Sequence, residues 1–417
     1  MKTKTNIKML WSLAIMSLTM TFGRAQQYDI LIKNGHLIDT KSGIDKKMDI
    51  AMKDSIIARI APNIAIKEAK RVIDAEGLYV TPGLIDMHSH NFFGTQPEAY
   101  LSNSFSALPP DGFTFRTGVT TTVDAGSAGW RNFRIFKEQT IDRSKTRVLA
   151  FLNIVGAGMQ GGAIEQNVGD MDEKLTAIVA RQYSDFVVGV KLAHYSGFDW
   201  TPTERAVAAA KLANIPVMID FGGSEPELSL TTLFMEKLRP GDIFTHAYAH
   251  VKGRTPIVNE NGKVEDFAWK AQERGIIFDV GHGGGSFLFE QMAPAIQQGF
   301  KPNTISTDLH TGSMNAGMKD LANIMSKFLN LNMSLNEVIA GVTWHPAQNI
   351  KREDLGHLSE GAVADVAILN LRKGKFGFID SQGKKMEGNQ KLECELTIRN
   401  GVVVYDLNGI AAPLWNE

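Results

Sequence analysis

Residues 84–90 read Leu-Ile-Asp-Met-His-Ser-His, an apolar run that ends in two histidines spaced two apart. Side chains two residues apart on an extended chain point to the same side, so His88 and His90 can offer two imidazoles to one cation. We interpret the run as the first strand of a repeating pattern of strands and helices. The stretch therefore predicts where a parallel sheet begins and where its chemistry lies.

The pattern continues as further apolar runs at intervals of roughly 26 to 38 residues, a spacing typical of strand-helix units in a parallel sheet. Eight such units predict an α/β fold, a (β/α)8 TIM barrel. An open doubly wound sheet is the alternative, but no glycine-rich dinucleotide fingerprint follows the first run. Apolar positions three and four apart predict helices at 204–213 and 321–331. The predicted strands are 84–87, 120–123, 148–152, 186–190, 216–219, 242–245, 275–278 and 303–306.

Short alternating runs at both ends of the chain predict a second, smaller domain. Asn34-Gly35 separates the runs 30–33 and 36–38, and Asn400-Gly401 separates 396–399 and 402–405. An Asn-Gly pair between alternating runs predicts a type I′ hairpin. We therefore expect a small β-sandwich built from 26–80 and 355–417, beside a barrel domain over 81–354.

Residues 1–25 are typical of a cleavable secretory signal peptide. Three lysines precede the apolar run 9–22, and Gly23 and Ala25 place small residues before the expected cleavage point. An uncleaved anchor is the alternative, although the run is shorter than the roughly 20 residues that span a bilayer. No cysteine stands at the expected cleavage point, so there is no lipobox. We expect a secreted, periplasmic protein.

Charge and cysteine content narrow the classes of partner and site. With 44 Lys and Arg against 45 Asp and Glu, the net charge of −1 disfavours nucleic acid and, after signal cleavage, membrane surfaces as partners. The single cysteine, Cys394, excludes an intramolecular disulfide and a cysteine-based metal site. A metal would have to be held by histidine, carboxylate or modified lysine.

Residues of those types follow the predicted strands, at the edge where barrel enzymes place their chemistry. A lysine there has an ordinary interpretation as a snorkelling surface residue, and an aspartate there often caps a helix. Burial, however, would leave a neutral lysine amine that can take up carbon dioxide as a carbamate. Together the set suits two cations with nitrogen and oxygen ligands: His88, His90, Lys191, Asp220, His246 and Asp308.

Four further polar residues near these strand ends are candidates for substrate binding. Each also has an ordinary interpretation as a buried side chain with a structural hydrogen-bond partner. The candidates are His194, Tyr195, His282 and His310.

Several motifs together resemble the amidohydrolase superfamily, in particular its amidohydrolase/deacetylase branch, which is similar to dihydroorotases. The first is 80–90, Val-Thr-Pro-Gly-Leu-Ile-Asp-Met-His-Ser-His, after a small β domain. The resemblance runs from about Tyr28 to the last predicted hairpin. The other motifs are 118–127, 151–154, 278–283, 306–315, 342–343 with 346–347, and 361–367.

The resemblance implies a centre of two divalent metal ions. The expected metal is zinc, and manganese is the alternative. It implies that His88 and His90 bind the first metal and that Lys191 bridges both as a carbamate. It further implies that His246 binds the second metal and that Asp308 completes the first shell and acts as general base.

One position departs from this pattern, because the branch usually has histidine where this chain has Asp220. If Asp220 coordinates, the carbamate, two carboxylates and a hydroxide balance two divalent cations. A neutral centre should be a weaker Lewis acid and more tolerant of manganese. The alternative is that Asp220 binds nothing and the second metal is lost or borrows His250 or His194.

These features predict a metal-dependent hydrolase of the deacetylase or N-acyl amino acid hydrolase type. It would cleave an amide or ester bond of a small molecule through a hydroxide that bridges the metals. A cyclic amidase similar to dihydroorotase is one alternative, because it shares the constellation. A non-catalytic binding module on the same scaffold is another. The resemblance also makes a homo-oligomer plausible.

Overall fold

The computed structural model describes residues 26–93, 106–220 and 222–416. The predicted signal peptide, 1–25, lies outside the described residues. Among the helices of the described ranges, none combines the length and apolarity needed to cross a bilayer.

A seven-stranded parallel sheet follows the predicted strands closely. Its strands are hydrogen-bonded in strict chain order, without the reversal that a doubly wound sheet requires. The fourth and fifth extend past their predicted ends, so Lys191 and Asp220 lie within the strands. The strands are β8 Leu84–Ser89, β9 Val119–Gly129, β10 Arg147–Asn153, β11 Val187–Ala193, β12 Val217–Asp220, β13 Ile243–Phe244 and β14 Ile277–Phe278.

The predicted eighth strand, 303–306, is not a regular strand. It contributes a single parallel bridge, between Thr304 and Asp279, and a second bridge joins Leu309 to Ser89. One segment therefore bonds to residues next to β14 on one side and to β8 on the other. The sheet curls so that its two edges meet this segment.

Helices cover the outer face of the parallel sheet. The largest buried cluster lies between them and the strands, where Val217, Phe244 and Phe278 pack with Ala210 and Met292. The predicted helices at 204–213 and 321–331 are confirmed as the helices Thr201–Ala213 and Leu321–Leu329. The helices are α1 Phe133–Gln139, α2 Gly162–Glu165, α3 Glu173–Gln182, α4 Thr201–Ala213, α5 Leu230–Thr232, α6 Asp266–Glu273, α7 Phe289–Gln297, α8 Leu321–Leu329, α9 Leu335–Ala340 and α10 Trp344–Asn349.

Two mixed sheets accompany the parallel one. The order is β5-β4-β1-β6 in one and β17-β16-β15-β7-β2-β3 in the other, so the second joins strands from both ends of the described chain. That these sheets form a separate β-sandwich domain stays a prediction. The strands are β1 Tyr28–Lys33, β2 His36–Asp39, β3 Ile44–Lys47, β4 Asp49–Lys53, β5 Ile56–Ala61, β6 Ala69–Asp74, β7 Tyr79–Pro82, β15 Val366–Ile379, β16 Lys385–Arg399 and β17 Val402–Asp406.

The two Asn-Gly pairs have different outcomes. Asn400 and Gly401 both have positive φ and join antiparallel β16 and β17, so this predicted hairpin is confirmed. The prediction at Asn34-Gly35 is wrong, because β1 and β2 belong to different sheets. Strand β1 is already paired on both sides, by β4 and β6, which leaves β2 no edge to join.

Candidate metal centre

A cavity of about 240 Å3 opens at the carboxyl edge of the parallel sheet, where the curled strands end. Seven of the ten candidate site residues line it, and Lys191 lies fully buried next to His88. Tyr195 and His282 are not among the lining residues of the described chain. The seven are His88, His90, His194, Asp220, His246, Asp308 and His310.

His88, His90 and Asp308 form the tightest group. One nitrogen or oxygen atom of each lies within 4.8 Å of the others, and all three residues are buried. Oδ1 of Asp308 is 3.0 Å from Nε2 of His90 and 3.4 Å from Nε2 of His88. Burial by itself would raise the pKa of Asp308, but the surrounding imidazoles outweigh it and hold that pKa well below its usual value. The carboxylate is therefore ionised.

Asp220 lies between two histidines of the cavity wall. Its Oδ2 lies 3.1 Å from Nε2 of His194 and 3.3 Å from Nε2 of His246. Burial opposes ionisation of Asp220, but His246 and His194 outweigh burial and keep its pKa well below the usual value. Asp220 therefore supplies an anionic oxygen between two imidazoles.

Lys191 lies within reach of the first group. Its Nζ is 3.4 Å from Nε2 of His88 and 3.6 Å from the sulfur of Met218. Burial lowers the pKa of this amine, although Asp220 and Asp308 oppose the shift. A lysine so placed has a larger share of neutral amine, the form that reacts with carbon dioxide.

Residues that were not predicted as site residues contact the Nδ1 atoms of these histidines, on the side away from the cavity carboxylates. Nδ1 of His246 donates to the carbonyl of Gly281 at 2.6 Å, and Nδ1 of His90 lies 3.3 Å from the hydroxyl of Ser127. The hydroxyl of Thr245 donates to Asp279 at 2.7 Å beside His88. Asp279 directly follows the predicted strand 275–278, so the signal used for the other strand ends could have found it.

Three further histidines considered from the sequence differ in their position relative to the cavity. His310 lines the cavity, with Nε2 3.8 Å from Asp308. His282 is fully buried, stacks on Phe287 and accepts a hydrogen bond from Lys327 at 2.6 Å. His250 lies outside the cavity lining, with Nδ1 3.9 Å from Glu290.

The donor set fits a divalent cation. Burial lowers the pKa of His88 to about 3, so its imidazole is neutral at physiological pH. A neutral imidazole held at Nδ1 presents the Nε2 lone pair that metal binding requires. Nitrogen and anionic oxygen donors together, without thiolate, suit zinc and manganese.

Comparison with known proteins shows similarity to amidohydrolases. A model of the amidohydrolase family matches residues 289–404. A deacetylase of Brucella anthropi is 34% identical over 359 residues, which cover 84% of this chain and 86% of that protein. A solved adenine deaminase is 30% identical with a TM-score of 0.80, covering 91% of this chain and 100% of its own. A solved dihydroorotase is 29% identical with a TM-score of 0.79, and the match covers 90% of this chain and 99% of the dihydroorotase chain.

Proposed function

This chain belongs to the amidohydrolase superfamily, and on that premise we propose that it is a metal-dependent hydrolase of the deacetylase type. Its reaction would cleave the amide or ester bond of a small N-acylated or O-acylated molecule. The convergence of His88, His90 and Asp308 in one cavity carries the proposal. The similarity to a deacetylase over most of both chains supports the bond type.

Two features of the fold, a closed barrel and a β-sandwich beside it, are also proposed. The parallel sheet with its bridging segment 304–309 would be a (β/α)8 barrel, whose carboxyl edge is the usual position of an active site. The two mixed sheets would form the β-sandwich beside it. Buried side chains of both sheets, among them Ile32, Ile50, Val80 and Ile368, share one cluster, which supports this packing.

The residues that would hold two divalent ions are those of the sequence analysis. His88, His90 and Asp308 would hold the first, Asp220 and His246 the second, and a carboxylated Lys191 would join them. When bound, such ions lower the pKa of a water and polarise a carbonyl.

Asp308 would move the proton. Its ionised carboxylate accepts a proton from the attacking water as the water oxygen adds to the acyl carbon. The same carboxyl then delivers this proton to the leaving nitrogen or oxygen as the bond to the acyl carbon breaks. The products are a carboxylic acid and an amine or alcohol.

Arg254 supports an anionic substrate. This residue lines the cavity, and its Nη2 donates to the carbonyls of His246 and Ala249 at 3.2 and 3.0 Å. Guanidinium groups bind carboxylates in two-point geometry. N-acyl amino acids offer both a carboxylate and an acyl bond.

A hydrolysis screen tests the function. Zinc-loaded and manganese-loaded protein would be offered N-acyl amino acids, their uncharged amides, acyl esters and cyclic amides. We expect turnover of the N-acyl amino acids, faster than that of the uncharged amides. Metal-loaded protein that hydrolyses none of these classes would contradict the proposal.

The alternatives predict other outcomes of the same experiment. The similarity to a solved dihydroorotase favours a cyclic amidase as second candidate, and ring opening without cleavage of linear amides would support it. A binding module would bind no metal and cleave nothing. Export to the periplasm is also part of the proposal, and fractionation with sequencing of the mature N-terminus tests it.

A further inference from the structure

His194 belongs to a line of polar groups along the cavity wall. It directly follows β11, and its side chain lies between Glu165 and Asp220. Nδ1 of His194 is 2.8 Å from Oε2 of Glu165, and Nε2 is 3.1 Å from Oδ2 of Asp220. The imidazole thus connects a buried carboxylate behind the wall to the cavity.

This arrangement matches that of the histidines assigned to the metals above. In each of them an outer oxygen faces Nδ1 while Nε2 faces a carboxylate in the cavity, as for His88 and His246. Histidines that bind metals commonly donate their other N–H to a carboxylate or carbonyl, which sets the tautomer and the ring orientation. Among the described cavity histidines, His194 is the one whose outer partner is a carboxylate at hydrogen-bond distance.

The groups behind His194 hold it in place. Both oxygens of the buried Glu165 carboxylate are engaged, because Oε1 accepts from the amide of Gly161 at 2.7 Å. The side chain of Gln166 donates to the carbonyl of His194 at 2.7 Å and accepts from the amide of Ser196 at 3.0 Å. The position of the ring is therefore built into the wall.

The backbone of His194 gives a second, independent observation. Its φ is +56°, in the left-handed region that residues with a Cβ rarely adopt. Of the other described residues that line the cavity and carry a side chain, His246 and Asp308 share this conformation, with φ of +56° and +52°. Such conformations cluster at functional sites, where the surrounding structure maintains them.

We propose that His194 is a ligand of the second cation, bound through Nε2 together with Asp220 and His246, with Glu165 as its outer carboxylate. The imidazole that the resemblance places after the fifth strand would thus come from the fourth strand, while the fifth contributes an anionic oxygen. This inference rests on the proposed function and adds a ligand to its metal centre. It makes Asp220 and His194 joint ligands rather than alternatives.

Binding of cobalt(II) to the full-length mature chain tests the proposal. Equilibrium dialysis would give the number and affinity of bound ions, and visible absorption would report the donor atoms of each. For His194→Ala we expect the first ion to bind as in the wild type. We expect the second to bind at least about 10-fold more weakly, with a changed spectrum. The matched control is His250→Ala, an exposed histidine outside the cavity, which should leave both properties unchanged.

Glu165→Gln provides a variant that keeps the imidazole. A glutamine oxygen can still accept from Nδ1, but it lacks the charge that makes the ring a stronger donor, so we expect an intermediate loss at the second site. This variant decides the matter if His194→Ala does not fold. Unchanged affinity and spectrum in the folded variants would overturn the inference and leave the proposed function standing. Wild-type protein that binds no ion would instead overturn the proposed function.

Discussion

The hydroxyl oxygen of Thr245 lies 2.9 Å from Nδ1 of His88. That hydroxyl donates its only proton to the Asp279 carboxylate, at 2.7 Å. Toward His88 it can therefore only accept a hydrogen bond, which comes from the Nδ1 proton. The hydrogen bond leaves Nε2 of His88 with its lone pair in the cavity. A threonine outside the proposed ligand set thus determines which atom of His88 can bind a metal ion.

Thr245→Val tests this relationship, because valine has nearly the same shape but cannot accept a hydrogen bond. We expect metal affinity at the first site to fall by about 10-fold to 100-fold, the usual effect of losing an outer partner. Equilibrium dialysis against zinc measures it. Thr245→Ser keeps the hydroxyl and should bind zinc nearly as the wild type does. Equal affinity in all three proteins would contradict the assigned tautomer.

Asp308→Asn should abolish turnover while most of the metal is retained. Asparagine keeps an oxygen donor of similar size but cannot accept and return a proton at neutral pH. Metal content and the hydrolysis rate would be measured on the same preparation. Substantial activity in the variant would rule out Asp308 as general base.

Reconstitution of metal-free protein should depend on carbon dioxide. The Lys191 amine must be carboxylated before it can join two ions, and burial favours the neutral amine that reacts. We expect slow, incomplete metal uptake in buffer stripped of carbon dioxide and recovery with bicarbonate. Lys191→Arg, which cannot form the carbamate, should not respond to bicarbonate. Full uptake by the wild type without carbon dioxide would contradict the modification.

Gly281→Ala should damage the metal centre without replacing a ligand. A Cβ there would lie 2.3 Å from Oγ1 of Thr245 and 2.9 Å from Nδ1 of His246, at a φ of +46°. We expect weaker zinc binding and a loss of roughly 1–3 kcal/mol in the free energy of unfolding. Gly285 also lines the cavity, but a Cβ there meets nothing within 4 Å. Gly285→Ala should therefore keep wild-type metal content and thermal midpoint.

Lys327, which is not among the residues that line the cavity, should make the free energy of unfolding depend on pH. Burial lowers the pKa of this lysine from 10.5 to about 7 in the folded protein. Between these values the unfolded chain holds a proton that the folded chain has released, so the free energy of unfolding rises with pH. Below pH 7 both states are protonated and the contribution is constant.

Urea unfolding of metal-free wild type and Lys327→Met would isolate this contribution. The difference in unfolding free energy, wild type minus variant, should increase by about 2 kcal/mol from pH 7 to pH 9. The variant also loses the hydrogen bonds of Lys327 to Gly317, Ile379 and His282. That loss should shift the whole curve of unfolding free energy against pH by a constant amount. Parallel curves would show that Lys327 titrates normally.

Local pattern predicted most of the parallel sheet and the residues at its edge. Seven of the eight predicted strands are present, because each is a largely buried apolar run that pairs with at least one neighbouring parallel strand. The eighth, 303–306, makes only one isolated bridge, between Thr304 and Asp279. The hairpin at Asn34-Gly35 failed because pairing partners far along the chain, β4 and β6, occupy both edges of β1.

The sequence by itself determined the donors, since only histidine, carboxylate and lysine were available at these strand ends in a chain with one cysteine. It could not determine which nitrogen of each imidazole faces the cavity. That was decided by Thr245, Gly281 and Glu165, which come from other parts of the chain and meet the imidazoles only in the folded protein. The types of ligand are local properties of the chain, whereas their tautomers and charges depend on neighbours that tertiary folding brings together.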